Sequence, residues 1–428
     1  MLFAFICNLI FYLLISVYRI RYLSNFFKNK GFFNPLVVVF IIQLPIELSK
    51  LFIGPMLLLD NVTTNVYYNY ALFVTNIAAC ADLLLLFIAS IISKRYKFIL
   101  PGFSFPIYYR KMRYASFFFY SLYVIFFILL SANSFGILNW ILSPREGYQL
   151  HRVGAGQYWV FAISCLSVSF TLACIYVESY RKIFILLFLY VFSAYLLGSK
   201  GIVLDIFTFL FIILWLRGYK HMKFIYSFGL PLAFLLLIAN FISTMQDAGF
   251  LEIFSYFDHY VNSTNYFEAY FHGQIPLFHG QIYLSDFWNI VPRGLIPGKP
   301  YVYGITLVNE YFWPGAAELT NTPAFGGPVA YFADFGLAGV VLMTLINPLK
   351  FCSYFFLIQL LKNFNFKEVK KNSTVFCLFL LFQAPSFLTS MAFPVNIMFY
   401  LIVVTFLMFF NRFSFRLVNS EVVKLPYT

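Results

Sequence analysis

Runs of about twenty apolar residues, separated by short polar or basic breaks, recur along the whole chain. They fall at residues 1–18, 35–59, 70–93, 115–132, 158–178, 183–198, 201–216, 225–242, 328–361, 373–391 and 394–411. As helices, such runs can cross the ~30 Å hydrocarbon core of a bilayer. The pattern predicts an all-α polytopic integral membrane protein with about 11 transmembrane helices, forming one transmembrane domain over residues 1–428. The ninth run is too long for one simple crossing and is expected to begin with a half-buried or re-entrant piece. The first run lacks a basic leading region and a small-residue cleavage site, so it reads as a retained helix.

Charge orients this stack. When the runs alternate across the membrane, 22 of the 29 Lys and Arg residues fall on one side and five on the other. Basic residues are retained on the cytoplasmic side, which puts the N-terminus outside and the C-terminus in the cytoplasm. The five outer cations are Arg145, Arg152, Lys200, Arg293 and Lys299, while Lys50 and Lys350 lie within spans. Two outer loops result, a medium one at residues 133–157 and a large one at residues 243–327. A long insertion among otherwise short connections is usually functional.

Composition agrees with this class: 62% of residues are hydrophobic and 11% charged, against roughly 25% charged in soluble domains. The net charge of +13 sits mostly in short runs between apolar segments. Its expected partner is therefore membrane lipid with anionic headgroups, and not nucleic acid. The six cysteines lie in apolar segments without CxxC spacing, which indicates neither a disulfide framework nor a metal site. No P-loop, HExxH or GxSxG motif is present, so an enzyme built on this chain needs a substrate that is already activated.

The first loop contains PREGYQLHRVGAG. Arg145 and Arg152 are seven residues apart, which on a helix is two turns along one face. Their planar guanidinium groups can hold phosphate oxygens bidentately, as Lys cannot. Gly154 and Gly156 permit close ligand approach. His151 and Glu146 can move protons near neutral pH, with His151 the better placed by intrinsic pKa. The alternative is an outer loop whose cations meet headgroups or pair with Glu146.

The second loop contains VPRGLIPGKPYVYGI, where three prolines stiffen the chain around Arg293 and Lys299. Lys200, in the LLGSKGIVLD hairpin, adds a cation at the same depth, with Asp205 able to neutralise it. The loop is rich in Tyr and Phe, which suits either carbohydrate recognition or an interfacial aromatic belt. FHGQI occurs twice, from Phe271 and from Phe278, and reads as a local duplication. Within the spans, Glu47 and Lys50 stand at i, i+3 and Asp82 lies mid-span, where pairing between neighbouring helices accounts for them.

Taken in order, PREGYQLHRVGAG, LLGSKG, VPRGLIPGKP and AYFADFGLAG resemble motifs of the Wzy-type O-antigen (oligosaccharide repeat unit) polymerases of the bacterial envelope. The resemblance covers residues 140 to 345. It implies a multi-pass inner-membrane glycosyltransferase, GT-C-like in fold, whose active site faces the periplasm. It implies as substrate an undecaprenyl diphosphate-linked oligosaccharide, and as partners a chain-length regulator and a flippase. The loop arginines matching the family's are Arg145, Arg152 and Arg293; with His151 and Glu146, read above as proton carriers, they are the expected catalytic residues. Lys299, Lys200, Tyr148, Gly154 and Gly156 are expected to bind substrate, and no cofactor or metal is expected. Where the family usually has Gly-Glu-x-Tyr before the Asp-Phe-Gly stretch, this chain has Pro328 and Val329 before Ala330 and Tyr331, which puts a catalytic acid there in doubt. The competing readings are a lipid-linked oligosaccharide flippase or other transporter, and an O-antigen ligase.

Overall fold

The computed structural model of the protein describes residues 2–26, 47–95, 109–151, 155–177, 179–198, 201–203, 258–291, 296–318 and 323–346, with the single positions 37, 40, 44, 206, 207, 210, 351, 354, 355 and 358. Among them there is helix and turn and no strand. The first half contains α1 (Leu2–Phe26), a π-turn at Ser49–Ile53, α2 (Gly54–Leu58), α3 (Val66–Arg95) and α4 (Tyr109–Ala132), then α5 (Ile137–Leu142), α6 (Pro144–Leu150), α7 (Gly156–Tyr176) and α8 (Tyr180–Leu196). The second contains α9 (His259–Phe271), α10 (Gln281–Ser285), a 3-10 turn at Asp286–Ile290, α11 (Thr306–Phe312) and α12 (Val329–Leu345).

Helices α1, α3, α4 and α7 are each long and apolar enough to cross a membrane, and the chain is that of a membrane protein. They coincide with the runs expected at 1–18, 70–93, 115–132 and 158–178. The runs at 225–242, 373–391 and 394–411 lie outside the described residues, as does most of 201–216.

Two cores share one strut. The first gathers α4, α7 and α8 around Phe170, Leu166 and Leu130, and takes Leu85, Leu86 and Ala89 from the C-terminal half of α3. The second gathers α9 and the start of α12 around Tyr260, Tyr266 and Phe267, and takes Tyr68, Leu72 and Val74 from the N-terminal half of α3. Lipid tails are as apolar as leucine, so helix association in a bilayer leans on close packing and polar contacts. Helices α4 and α7 supply both: Ser116 Oγ donates to the Ser169 carbonyl at 2.9 Å, and Ser169 Oγ donates to the Ser116 carbonyl at 2.7 Å. Small side chains let the backbones approach, and Tyr190 of α8 joins the same pair.

Among the described residues, Glu47, Lys50 and Asp82 inside the spans are paired. Lys50 meets Glu47 at 3.2 Å, as their spacing implies. Arg19, counted above with the first cytoplasmic run, instead turns inward: its Nη1 stands 2.7 Å from Asp82 Oδ2, and its Nη2 donates to the Tyr354 hydroxyl at 2.8 Å. Tyr354 donates to Asp82 at 3.0 Å, which closes a triad that joins α1, α3 and the ninth run. A long flexible stem lets an arginine at a helix end reach polar company inside, so its sequence position alone misplaced the charge.

The ninth run contains a reversal. Phe335 (φ −138°, ψ 16°) and Gly336 (φ 64°, ψ −153°) break α12. A Cβ on Gly339 would overlap the Tyr331 carbonyl, although eight residues of straight helix would separate the two by ~12 Å. The chain therefore folds back on itself at Asp334–Phe335–Gly336, in line with the re-entrant start expected there.

Candidate functional site

Most described residues of the segment 133–157, read above as the medium outer loop, are helical, in α5, α6 and the start of α7. Pro144 starts α6 at a position where its missing N–H costs nothing. The helix ends at Leu150, and His151 has left helical geometry (φ −112°, ψ 2°). The two-turn register that would align Arg145 with Arg152 is thus interrupted one residue short of Arg152. Arg152, Gly154, Lys200 and Arg293 lie outside the described residues.

Helix α6 rests on the C-terminal end of α8. The last carbonyls of a helix have no partner within it and carry a partial negative charge. Here each of three successive carbonyls receives a side-chain donor. Trp140 Nε1 donates to Leu196 at 2.7 Å, Trp159 Nε1 to Leu197 at 3.0 Å, and Arg145 Nη1 to Gly198 at 3.3 Å. The Arg145 guanidinium also lies 5.2 Å from the centroid of the Tyr148 ring, which packs against Trp159 at 5.2 Å. Two glycines make this approach possible. Gly198 has φ +71°, and a Cβ there would overlap the Pro144 carbonyl. A Cβ on Gly147 would stand 2.7 Å from the fully buried Trp140 ring.

The remaining predicted residues of this loop are more peripheral. Glu146 is exposed on α6. His151 is half-buried and stacks face to face on Phe135, with centroids 4.1 Å apart. Gly156 opens α7, and a Cβ there would meet nothing within 4 Å. Sequence reasoning singled out Arg145 but missed Gly147, Gly198, Trp140 and Trp159. The available signal was the Leu-Gly turn after an apolar run, a usual helix C-terminus.

The large outer loop contributes a second assembly. Helix α9 runs antiparallel to α3: Tyr260 at its start meets Thr75, with hydroxyls 3.2 Å apart, and Phe271 at its end meets Tyr67. Of the aromatics read as carbohydrate-binding or interfacial, Tyr260, Tyr266, Phe267 and Phe278 are buried, whereas Phe271 is exposed. Tyr70, Phe267, Tyr270, Phe271 and Phe332 form an edge-to-face cluster with centroids 4.9–6.0 Å apart, a packing that the ring quadrupole favours. Tyr283, Phe287 and Tyr301 are exposed. Lys299 donates to the Val291 carbonyl at 3.0 Å and sits 4.7 Å from the centroid of the Tyr303 ring.

Between this loop and the α12 reversal stands Asp334, which is 2% exposed. Its Oδ1 accepts the backbone N–H groups of Gly280 at 3.1 Å and Ile282 at 3.0 Å, and its Oδ2 accepts that of Tyr283 at 2.8 Å. The Ala333 and Asp334 carbonyls accept the N–H groups of Phe278 and His279 at 2.8 and 2.9 Å. Gly280, at φ +92°, turns the chain into α10. This anchor was not predicted, although it lies in the AYFADFGLAG motif.

Two curated relatives are similar to this chain, the O-antigen polymerases of Salmonella typhimurium and Salmonella typhi. Each is 26% identical over 205 residues, which cover 46% of this chain and 49% of the relative. The chain spans about half the length of the curated relatives it matches. No family model and no solved structure matches it. The likeness to Wzy-type O-antigen polymerases read from the motifs is thus shared with curated proteins of that name.

Proposed function

We propose that the protein is a glycosyltransferase that polymerises undecaprenyl diphosphate-linked oligosaccharide units into O-antigen or a related surface polysaccharide, at the periplasmic face of the bacterial inner membrane. The observation that carries this reading is the outer helix α6, whose Arg145 is fixed against the end of α8 by Trp140, Trp159 and Gly198. Together with the O-antigen polymerase relatives, it suits a membrane site for a diphosphate leaving group.

In this reading an acceptor hydroxyl attacks the donor's anomeric carbon. The bond from that carbon to the diphosphate oxygen breaks, and undecaprenyl diphosphate leaves. Arg145, with Arg152, Arg293 and Lys299, stabilises the charge that develops on it, and a cation already fixed in place costs little reorganisation. His151 is the first candidate to take the acceptor proton, and Glu146 the second. Lys200, Tyr148, Gly154 and Gly156 are the candidates to bind the donor. The donor is already activated, so no nucleotide is needed.

Purified full-length protein in lipid, given only the undecaprenyl diphosphate-linked repeat unit, should lengthen it and release undecaprenyl diphosphate, with or without ATP. Movement of the intact lipid between leaflets without a new glycosidic bond would establish a transporter. Transfer to a lipid A core alone would establish a ligase.

A further inference from the structure

The three backbone N–H groups gathered on Asp334 begin a continuous chain of contacts toward an outer cation. Asp334 holds Gly280, Ile282 and Tyr283, which form the first turn of α10. At the other end of α10, Ser285 Oγ accepts the Gly304 N–H at 2.8 Å. Gly304 has φ +58°, and a Cβ there would stand 2.7 Å from Asp286 Oδ1, so the strand of loop beside α10 is seated against it. The next residue back, Tyr303, carries Lys299 over its ring, and Lys299 reaches across to the Val291 carbonyl. Each link is a named bond or contact between neighbours. The one buried charge among them, Asp334, stands one residue before the break of α12.

We propose that Asp334 is a positioning residue for the lipid-linked diphosphate: its carboxylate latches residues 278–291 and 296–304 to the α12 reversal and thereby fixes Lys299 where the donor's charged group binds. This rests on the polymerase reading above. Asp334 itself touches no substrate. Its side chain is enclosed and its acceptor oxygens are occupied by backbone donors, so it acts through α10. An acceptor-only group is required here, because all three partners are donors. The isosteric Asp334→Asn variant keeps an oxygen for Gly280 and Ile282 but turns an N–H₂ group toward the Tyr283 N–H. That change removes one charge-assisted bond and sets two donors against each other.

The test uses the full-length protein in lipid and reads two quantities. Hydrogen exchange of the peptide spanning residues 278–285 reports the latch without reference to activity, and it should accelerate in Asp334→Asn by on the order of tenfold. In the elongation assay the same variant should raise the KM for the undecaprenyl diphosphate-linked donor by a similar factor, with kcat within about twofold of wild type. A role confined to folding would instead lower the active fraction, and kcat with it, at unchanged KM. That outcome overturns the proposal, as does unaltered exchange. Lys299→Gln provides the control: it should raise KM while leaving exchange at 278–285 unchanged. Unchanged KM in Lys299→Gln likewise overturns the proposal. If wild type itself elongates nothing while exchange in Asp334→Asn still accelerates, the polymerase reading fails and the latch stands as a structural fact alone.

Discussion

The arginine helix and the aspartate latch are both built at helix ends, with opposite signs. At residues 196–198 a helix C-terminus presents carbonyls, and the chain supplies donors to them from two indoles and one guanidinium. At residues 280–283 a short helix presents N–H groups, and one carboxylate accepts three of them. Both assemblies join positions more than fifty residues apart in sequence, Arg145 with Gly198 and Ile282 with Asp334. Both place a cation, Arg145 or Lys299, beside an aromatic ring. The difference shows which kind of support can be read in advance. A cation on the side of the membrane where cations are rare announces itself, while a carboxylate satisfied by main-chain donors leaves no mark on its partners.

The largest expected effect tests the arginine side. Arg145→Ala should reduce long-chain glycan formation by roughly 10²–10³-fold, read as loss of the upper surface-glycan ladder at normal protein level. Arg145→Lys should rescue poorly, because an ammonium does not reproduce the fork of the guanidinium. Arg293→Ala should behave in the same way. Full ladders in both alanine variants would reduce Arg145 to a cap on α8.

Next comes the glycine that lets the two helices meet. Gly198→Ala combines a left-handed backbone with an overlap at the Pro144 carbonyl, and should destabilise by about 2–4 kcal/mol. Gly156→Ala meets nothing, and its melting temperature in detergent should match wild type. Equal behaviour of the two variants would mean that α6 is not seated on the turn.

Trp140→Phe removes the donor to Leu196 together with part of the indole volume that packs against Gly147. The orphaned carbonyl should cost about 1–3 kcal/mol, visible as a lower melting temperature with elongation intact.

The smallest effect concerns Asp258 at the start of α9. Burial raises its carboxyl above the ordinary value, with the Asn262 side chain opposing. A raised value in the folded state means that the folded protein favours the protonated acid. Its stabilisation is therefore complete below the ordinary carboxylate range and is lost as pH rises through the raised value. Asp258→Asn should melt slightly higher than wild type near neutral pH, and the gap should close at about pH 3. A lower melting temperature near neutrality would show that the contact with His259, 3.6 Å away, outweighs desolvation.

The long helices were legible because an unbroken apolar run has few other fates in a bilayer. Helices α3, α4, α7 and α8 begin a few residues before their runs and α1 ends beyond its run, whereas α7 and α8 end two residues short of theirs. Arg145 was legible as one of the five cations that the alternation of runs sets apart from the other 22. The rest depended on geometry that short sequence does not encode. The two FHGQI copies make this plain: the first ends α9 and the second leads into α10. Both copies keep their glycine at positive φ, at Gly273 and Gly280, and both bury their isoleucine, Ile275 and Ile282. Local preference set the turn residue and the apolar anchor, and tertiary context decided which way the helix ran. Asp334 was hidden for a related reason, as its run AYFADFGLAG looks like the start of one more span.

The Arg19–Asp82–Tyr354 triad also has a consequence for how the protein is made. Arg19 and Asp82 are synthesised 63 residues apart, so at roughly 5–20 residues per second the arginine waits about 3–13 seconds for its partner. The tyrosine hydroxyl that completes the site follows 272 residues after Asp82, roughly 14–54 seconds later at the same pace. The ion pair is therefore an early fixed point of membrane insertion, and the ninth run docks against a seam that has already formed. A nascent chain arrested before Tyr354 should already cross-link α1 to α3.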